Sequence, residues 1–171
     1  MAFLPIDRKH ANNNDGHIIK ISDAEKHTGT TFEWDTFVVA SRLRGTESTF
    51  TDPDGLATYA DGRLFVMTDG GQPDGLQDQL LVADSRSEAE LPEFFRLLVC
   101  VSGDEVTGFT MTPDRRTLFV NPQHPGNGDP AATSFPVEGG MPDGITVPRD
   151  ATLVITRKDG GVIGSLSFPD V

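Results

Sequence analysis

Two stretches of this chain repeat each other. GLATYADGRLFVMTDG, residues 55–70, runs alongside TGFTMTPDRRTLFVNPQH, residues 107–124, once one residue is added in the turn. Gly55 matches Gly108, Leu64 matches Leu118, Phe65 matches Phe119 and Val66 matches Val120. The period is about 50 residues, the size of one four-stranded propeller blade. Inside the repeat, RLFVM and TLFV are apolar on both faces. Successive strand side chains point to opposite faces, so such a strand needs cover on both. A sheet stacked between two neighbouring sheets supplies that cover; a sandwich strand with one wet face does not. The chain is expected to be all-β, a partial β-propeller.

The other apolar runs agree. HIIKIS (17–22) alternates apolar with polar residues, and TTFEWDTFVVA (30–40) is aromatic and β-branched. QLLVAD (79–84), EFFRLLVCV (93–101), ATLVITR (151–157) and GVIGSLSF (161–168) read as further strands. Asp61-Gly62 predicts a two-residue hairpin, and Pro113 to Arg116 a second turn. SRSEAELPEFFRLL reads as loop then strand, because Pro92 would interrupt a helix. Within one segment spanning 1–171, residues 16–40 end one blade and 53–101 form a complete one. Residues 105–168 form another, with a long insertion at 122–149. About two to two and a half blades do not close a ring, since closed propellers have about 4–8. Open ends expose apolar faces. The chain is therefore expected to belong to something larger or to assemble with another copy.

Composition narrows the partners. The 171 residues suit one domain, and 18 Gly with 12 Pro suit a loop-rich β-fold. A net charge of −12 excludes a binder of nucleic-acid backbone and fits a soluble surface or a cation-binding interior. No apolar run approaches the ~20 residues of a membrane span. The stretch MAFLPIDRKHANNNDG has no secretory h-region, so a complete product would be expected in the cytoplasm. The single cysteine, Cys100, excludes an internal disulfide; in FRLLVCV it reads as a buried structural thiol.

Five blocks in order carry a family resemblance: NNNDGHIIKI, TTFEWDTFVVA, FTDPDGLATYADGRLFVMTDGG, DEVTGFTMTPDRRTLFVNPQHPG and RDATLVITRKDGGVIG. Together they resemble the C-terminal part of the PhoX alkaline phosphatases. The resemblance implies a six-bladed propeller that hydrolyses phosphate monoesters at a cluster of iron and calcium ions in its central channel. It also implies an exported protein with an N-terminal portion holding the rest of the metals and an iron-ligating cysteine, which Cys100 does not match. Where the family has isoleucine in NIQHPG, this chain has Pro122, which removes an N–H just before Gln123 and His124.

Calcium takes 6 to 8 oxygens at ~2.3–2.6 Å, which a ring of blade entrances can offer. Asp54 precedes an innermost strand in PDGLA, and Glu105 holds the corresponding entrance in EVTG. Both are expected as metal ligands, against turn capping for Asp54 and an ordinary solvated or paired carboxylate for Glu105. The PDG turn is also similar to the ligand turn of gluconolactonase-like calcium propellers. Asp61 and Asp114 read as hairpin chemistry. Asp69 reads as structural, at the end of a strand taken to run away from the channel; Asp52 stays open. In NPQHPG, His124 is expected as an acid or phosphate-orienting group, or else as a hydrogen-bonded corner, and Asn121 and Gln123 as substrate contacts. His10, His17 and His27 show no metal spacing, and Trp34 reads as a core aromatic.

Three functions remain open: part of a metal-dependent phosphomonoester hydrolase, a non-catalytic propeller fragment or oligomer-forming module, and a calcium-dependent lactonase-like hydrolase. Half a ring of ligands is not expected to hold calcium and iron. Negligible phosphatase activity is therefore expected of these 171 residues alone.

Overall fold

The computed structural model describes residues 2–6, 13–137 and 147–165. Among these residues ten strands form three antiparallel sheets. The first holds β1 (Ala2–Ile6), β2 (His17–Asp23) and β3 (Phe32–Val39). The second runs in sequence order through β4 (Pro53–Thr58), β5 (Arg63–Thr68), β6 (Gln79–Asp84) and β7 (Phe94–Val99). The third holds β8 (Val106–Met111), β9 (Thr117–Pro122) and β10 (Leu153–Thr156). Among the described residues there is no α-helix, only short 3-10 turns. The architecture is all-β, and it forms part of a propeller.

The four-stranded sheet is the middle of the array, and the period-2 rule shows how. On β5, Leu64 and Val66 face one way and pack with Ile18, Phe37 and Val38 of the first sheet. Phe65 and Met67 face the other way and pack with Val106, Leu118 and Val120 of the third. On β6, Leu81 and Ala83 join the first group, Leu80 and Val82 the second. Each such side chain contributes about 1.5–3 kcal/mol on burial. This is why LFVM, residues 64–67, carries no polar position. Ring contacts extend both interfaces: Phe37–Phe94 edge to face on one side, Phe65–Phe109 tilted with centroids 4.7 Å apart on the other.

Several local expectations are corrected. The β4–β5 hairpin loop has three residues, Ala60 to Gly62, because Tyr59 and Arg63 still pair through Tyr59 N and Arg63 O at 3.0 Å. Gly62 closes it at φ +94°, donating its N–H to Tyr59 O. That is the turn-plus-left-handed-glycine form of hairpin. β1 was not among the expected strands. It holds Pro5, which a sheet tolerates at an edge, where β1 lies. GVIGSLSF is not a strand over its described part. Ile163 instead turns inward, donating its N–H to Arg115 O and packing beside Val82; residues 166–168 lie outside the described residues. Trp34 is no core aromatic. It is 65% exposed on the outward half of β3. Cys100 is buried, and burial together with the neighbouring Asp104 carboxylate pushes its thiol up.

Candidate metal centre

An antiparallel sheet brings the end of its second strand back beside the start of its first. Pro53 at the start of β4 therefore pairs with Thr68 at the end of β5, and Val106 of β8 with Pro122 of β9. Asp69 N–H donates to Asp52 O at 3.1 Å, and Gln123 N–H donates to Glu105 O at 3.0 Å in the next sheet. Asp52 and Glu105 are thus counterparts in the repeat, as are Asp69 and Gln123. This corrects the reading of Asp69: β5 runs toward the entrance, and Asp69 arrives there.

The convergence yields one compact group of donors. One carboxylate oxygen each of Asp69 and Glu105 and one ring nitrogen of His124 all lie within 4.8 Å of one another. Asp69 comes from the middle sheet; Glu105 and His124 come from the third. Glu105 is only 8% exposed, His124 is half-buried and Asp69 is open to solvent. Glu105 Oε2 accepts from Gln123 Nε2 at 2.8 Å and sits 3.1 Å from His124 Nε2. His124 Nδ1 is 3.0 Å from Gly103 O. A carbonyl only accepts, so Nδ1 carries the hydrogen and Nε2 faces the carboxylates.

The loops that hold these groups pack backbone to backbone. Gly126 N–H donates to Ser102 O at 2.8 Å and Asn127 N–H to Gly103 O at 3.2 Å. A Cβ on Gly103 would meet Asn127 O at 2.6 Å, and Gly103 has φ +70°. Only glycine fits there.

The charges report the crowding. Burial raises the Glu105 carboxyl above its ordinary value; the charges of Asp69 and Asp54 add to this, and His124 partly offsets it. For His124, burial lowers the imidazole, but bonds to Gly103 O and the Glu105 carboxylate outweigh it and leave it raised.

The other expected residues are placed as follows. Asp54 sits at a β-bulge between Pro53 and Gly55, exposed, outside the compact group but close enough for its charge to act on Glu105. Gln123 is engaged with Glu105. Asn121 lies within β9, where its Oδ1 accepts from Thr152 Oγ1 at 2.8 Å. Asp61 and Asp114 serve turns at the other end of the sheets, each accepting a backbone N–H two residues on. His10 lies outside the described residues. Asp69 was legible in principle: counting the hairpin forward from Asp54 returns the chain to the same edge.

The donor set fits a cation. Ligand atoms about 2.0–2.6 Å from one ion lie within about 4 to 5 Å of one another, and these do. Two carboxylates and an imidazole suit a first-row ion such as iron(II). Calcium takes oxygen, so it needs donors beyond these three.

The family described as alkaline phosphatase PhoX matches residues 5–126. A solved structure, Pseudomonas fluorescens PhoX in complex with vanadate, a transition state analogue, is 36% identical with a TM-score of 0.72. That match covers 88% of this chain and 28% of the other. Comparison with curated proteins gives no significant match.

Proposed function

Because this chain belongs to the alkaline phosphatase PhoX family, we propose that it supplies one part of the metal site of a phosphomonoester hydrolase. The observation that carries this is the Asp69–Glu105–His124 group, built from two adjacent sheets at the edge where both hairpins return. Asp69, Glu105 and His124 would hold the cation, and Asp54 stands at the rim as a further carboxylate. A cation bound there supplies Lewis acidity toward a phosphoryl oxygen. Glu105 provides a charge already largely removed from water. Gly103 O keeps Nδ1 of His124 protonated, so that Nε2 is free to ligate once its own proton has left. A substrate role for Asn121 or Gln123 requires release of their bonds to Thr152 and Glu105. A catalytic role for His124 would compete with ligation, because the same Nε2 serves both.

The chain spans 28% of the solved relative that it matches. Three donors can hold a first-row ion with open positions, but they leave half or more of calcium's six- to eightfold coordination to other groups. The rest of the site would come from a longer polypeptide or a second copy. The test uses the purified chain with Co2+ as a spectroscopic stand-in for iron(II). We expect a Co2+ absorption band that disappears in Glu105→Gln and in His124→Gln, and negligible hydrolysis of p-nitrophenyl phosphate with calcium and iron added. Absence of Co2+ binding by the wild-type chain overturns the metal site. Turnover lost in Asp69→Asn overturns the incomplete-site reading.

A further inference from the structure

We propose that Asp104 and Asp78 are positioning residues, two buried carboxylates that hold the backbone on which the three donors are mounted. The inference rests on the metal-site reading above. Asp104 is 4% exposed. One of its oxygens, Oδ1, accepts the N–H of Glu105 at 2.9 Å and the N–H of His124 at 3.1 Å. A single atom thus joins the residue entering β8 to the residue leaving β9. Those two residues carry the two least exposed donors of the group.

Asp78 does the same for the third donor. It is 6% exposed and lies just before β6. Its Oδ1 accepts from Thr68 Oγ1 at 2.6 Å, from Gly70 N–H at 3.0 Å and from Gln72 Nε2 at 3.0 Å. Thr68 and Gly70 flank Asp69 on both sides. Gln72 passes the restraint on, its Oε1 accepting from Thr51 N–H at 3.1 Å and from Gln79 Nε2 at 2.9 Å. Asp69 itself stays exposed, while the backbone on either side of it is tied.

A buried carboxylate is costly unless its oxygens are hydrogen-bonded; Oδ1 of Asp104 takes the amides of two donor residues and Oδ1 of Asp78 takes groups on either side of the third, while Oδ2 of Asp104 is buried without a hydrogen bond. Outer groups of this kind orient metal ligands, and their loss typically costs about 10–100-fold in metal affinity. Neither residue needs to touch an ion for this effect.

The experiment combines amide hydrogen exchange of the metal-free chain with Co2+ titration. In the wild type, the Gly70, Glu105 and His124 amides should be protected although each lies in a loop. Asp104→Ala should speed exchange at Glu105 and His124, leave the Phe65 and Val82 amides unchanged and weaken Co2+ about 10–100-fold. Asp78→Ala should do the same through Gly70. Asp104→Asn and Asp78→Asn keep the accepting oxygen and should restore both readouts. Unprotected wild-type amides overturn the proposal, and that measurement decides even where an alanine variant fails to fold. Asparagine variants as impaired as alanine also overturn it, since the charge would then matter rather than the restraint. Protected amides without any Co2+ binding overturn the metal site, and this inference with it. Co2+ binding with unprotected amides overturns this inference alone.

Discussion

Glu105 and His124 both hold protons more firmly than the free side chains do, and the sign has a measurable consequence. A raised value means that the folded state binds more protons than the unfolded one across the interval of the shift, so stability falls as pH rises through it. For His124 the contribution is fully present below its ordinary value of ~6.5 and lost above the raised one. The wild-type chain should therefore exceed His124→Gln in melting temperature by more at pH 5.5 than at pH 8. Equal differences would show that the Glu105 contact does not form. Asp78 acts in the same direction: burial first, then the charge of Asp69, pushes it up to about 6 against the donors that favour its ionised form. Its ionised form is a cost above pH 6 that is relieved as pH falls toward the ordinary carboxylate range. Asp78→Asn should flatten the thermal pH profile between pH 4 and 6. A cation must displace these protons, so Co2+ affinity should rise from pH 5.5 to 7.5. A pH-independent affinity would place the cation elsewhere.

At the scale of the element, the hairpin tips away from the cluster are joined by a charge bridge. Asp61 in the β4–β5 turn accepts from the guanidinium of Arg63 and from that of Arg115 in the β8–β9 turn. Arg63 is 6% exposed, and its other nitrogen donates to Ile163 O at 2.5 Å. Burial alone would raise the Asp61 carboxyl, but the two guanidinium groups outweigh it and hold it below its ordinary value. Turn chemistry explains Asp61 from sequence, as its bond to Arg63 N–H confirms. The bridge between sheets could not be read, because 54 positions separate Asp61 from Arg115. Asp61→Ala leaves the Arg63 charge buried and should cost about 2–3 kcal/mol in urea unfolding. Asp114→Ala removes an exposed turn acceptor and should cost well under that, about 0.5–1 kcal/mol. Similar losses for the two would mean that the bridge carries nothing. Phe65→Ala, emptying a fully buried site between sheets, should cost about 3–5 kcal/mol.

At the scale of the whole molecule, the middle sheet is covered on both faces and its neighbours on one. Phe32 and Trp34 on β3 and Val154 on β10 stay more than half exposed. Among the described residues three sheets are fewer than the about 4–8 blades of a closed ring, and these large apolar side chains stand on the outer faces. The chain should bind an apolar dye and associate as its concentration rises, read by sedimentation. Trp34 is the single tryptophan, so its fluorescence should be that of a solvated indole and shift to the blue when a partner covers it. A monomer at all concentrations with no dye binding would show that the outer faces need no cover.

Sequence alone determined the middle sheet. The apolar runs of β5 and β6 admit only strands with cover on both sides, and the repeat names the unit. Burial is a local requirement: a strand with no polar face declares it in its own residues. The ends of the strands were decided only by tertiary structure. Asp54 and Glu105 were legible as two blade entrances, yet the donor that joins Glu105 is Asp69, with His124 beside it. Trp34 resembled core and lies outside. Which carboxylates meet depends on which strand ends return to the same edge, on loops such as Gly103 against Asn127, and on bonds such as the one from His124 N–H to Asp104, 20 positions away. Those are pairings across space, and no single stretch of the chain contains them.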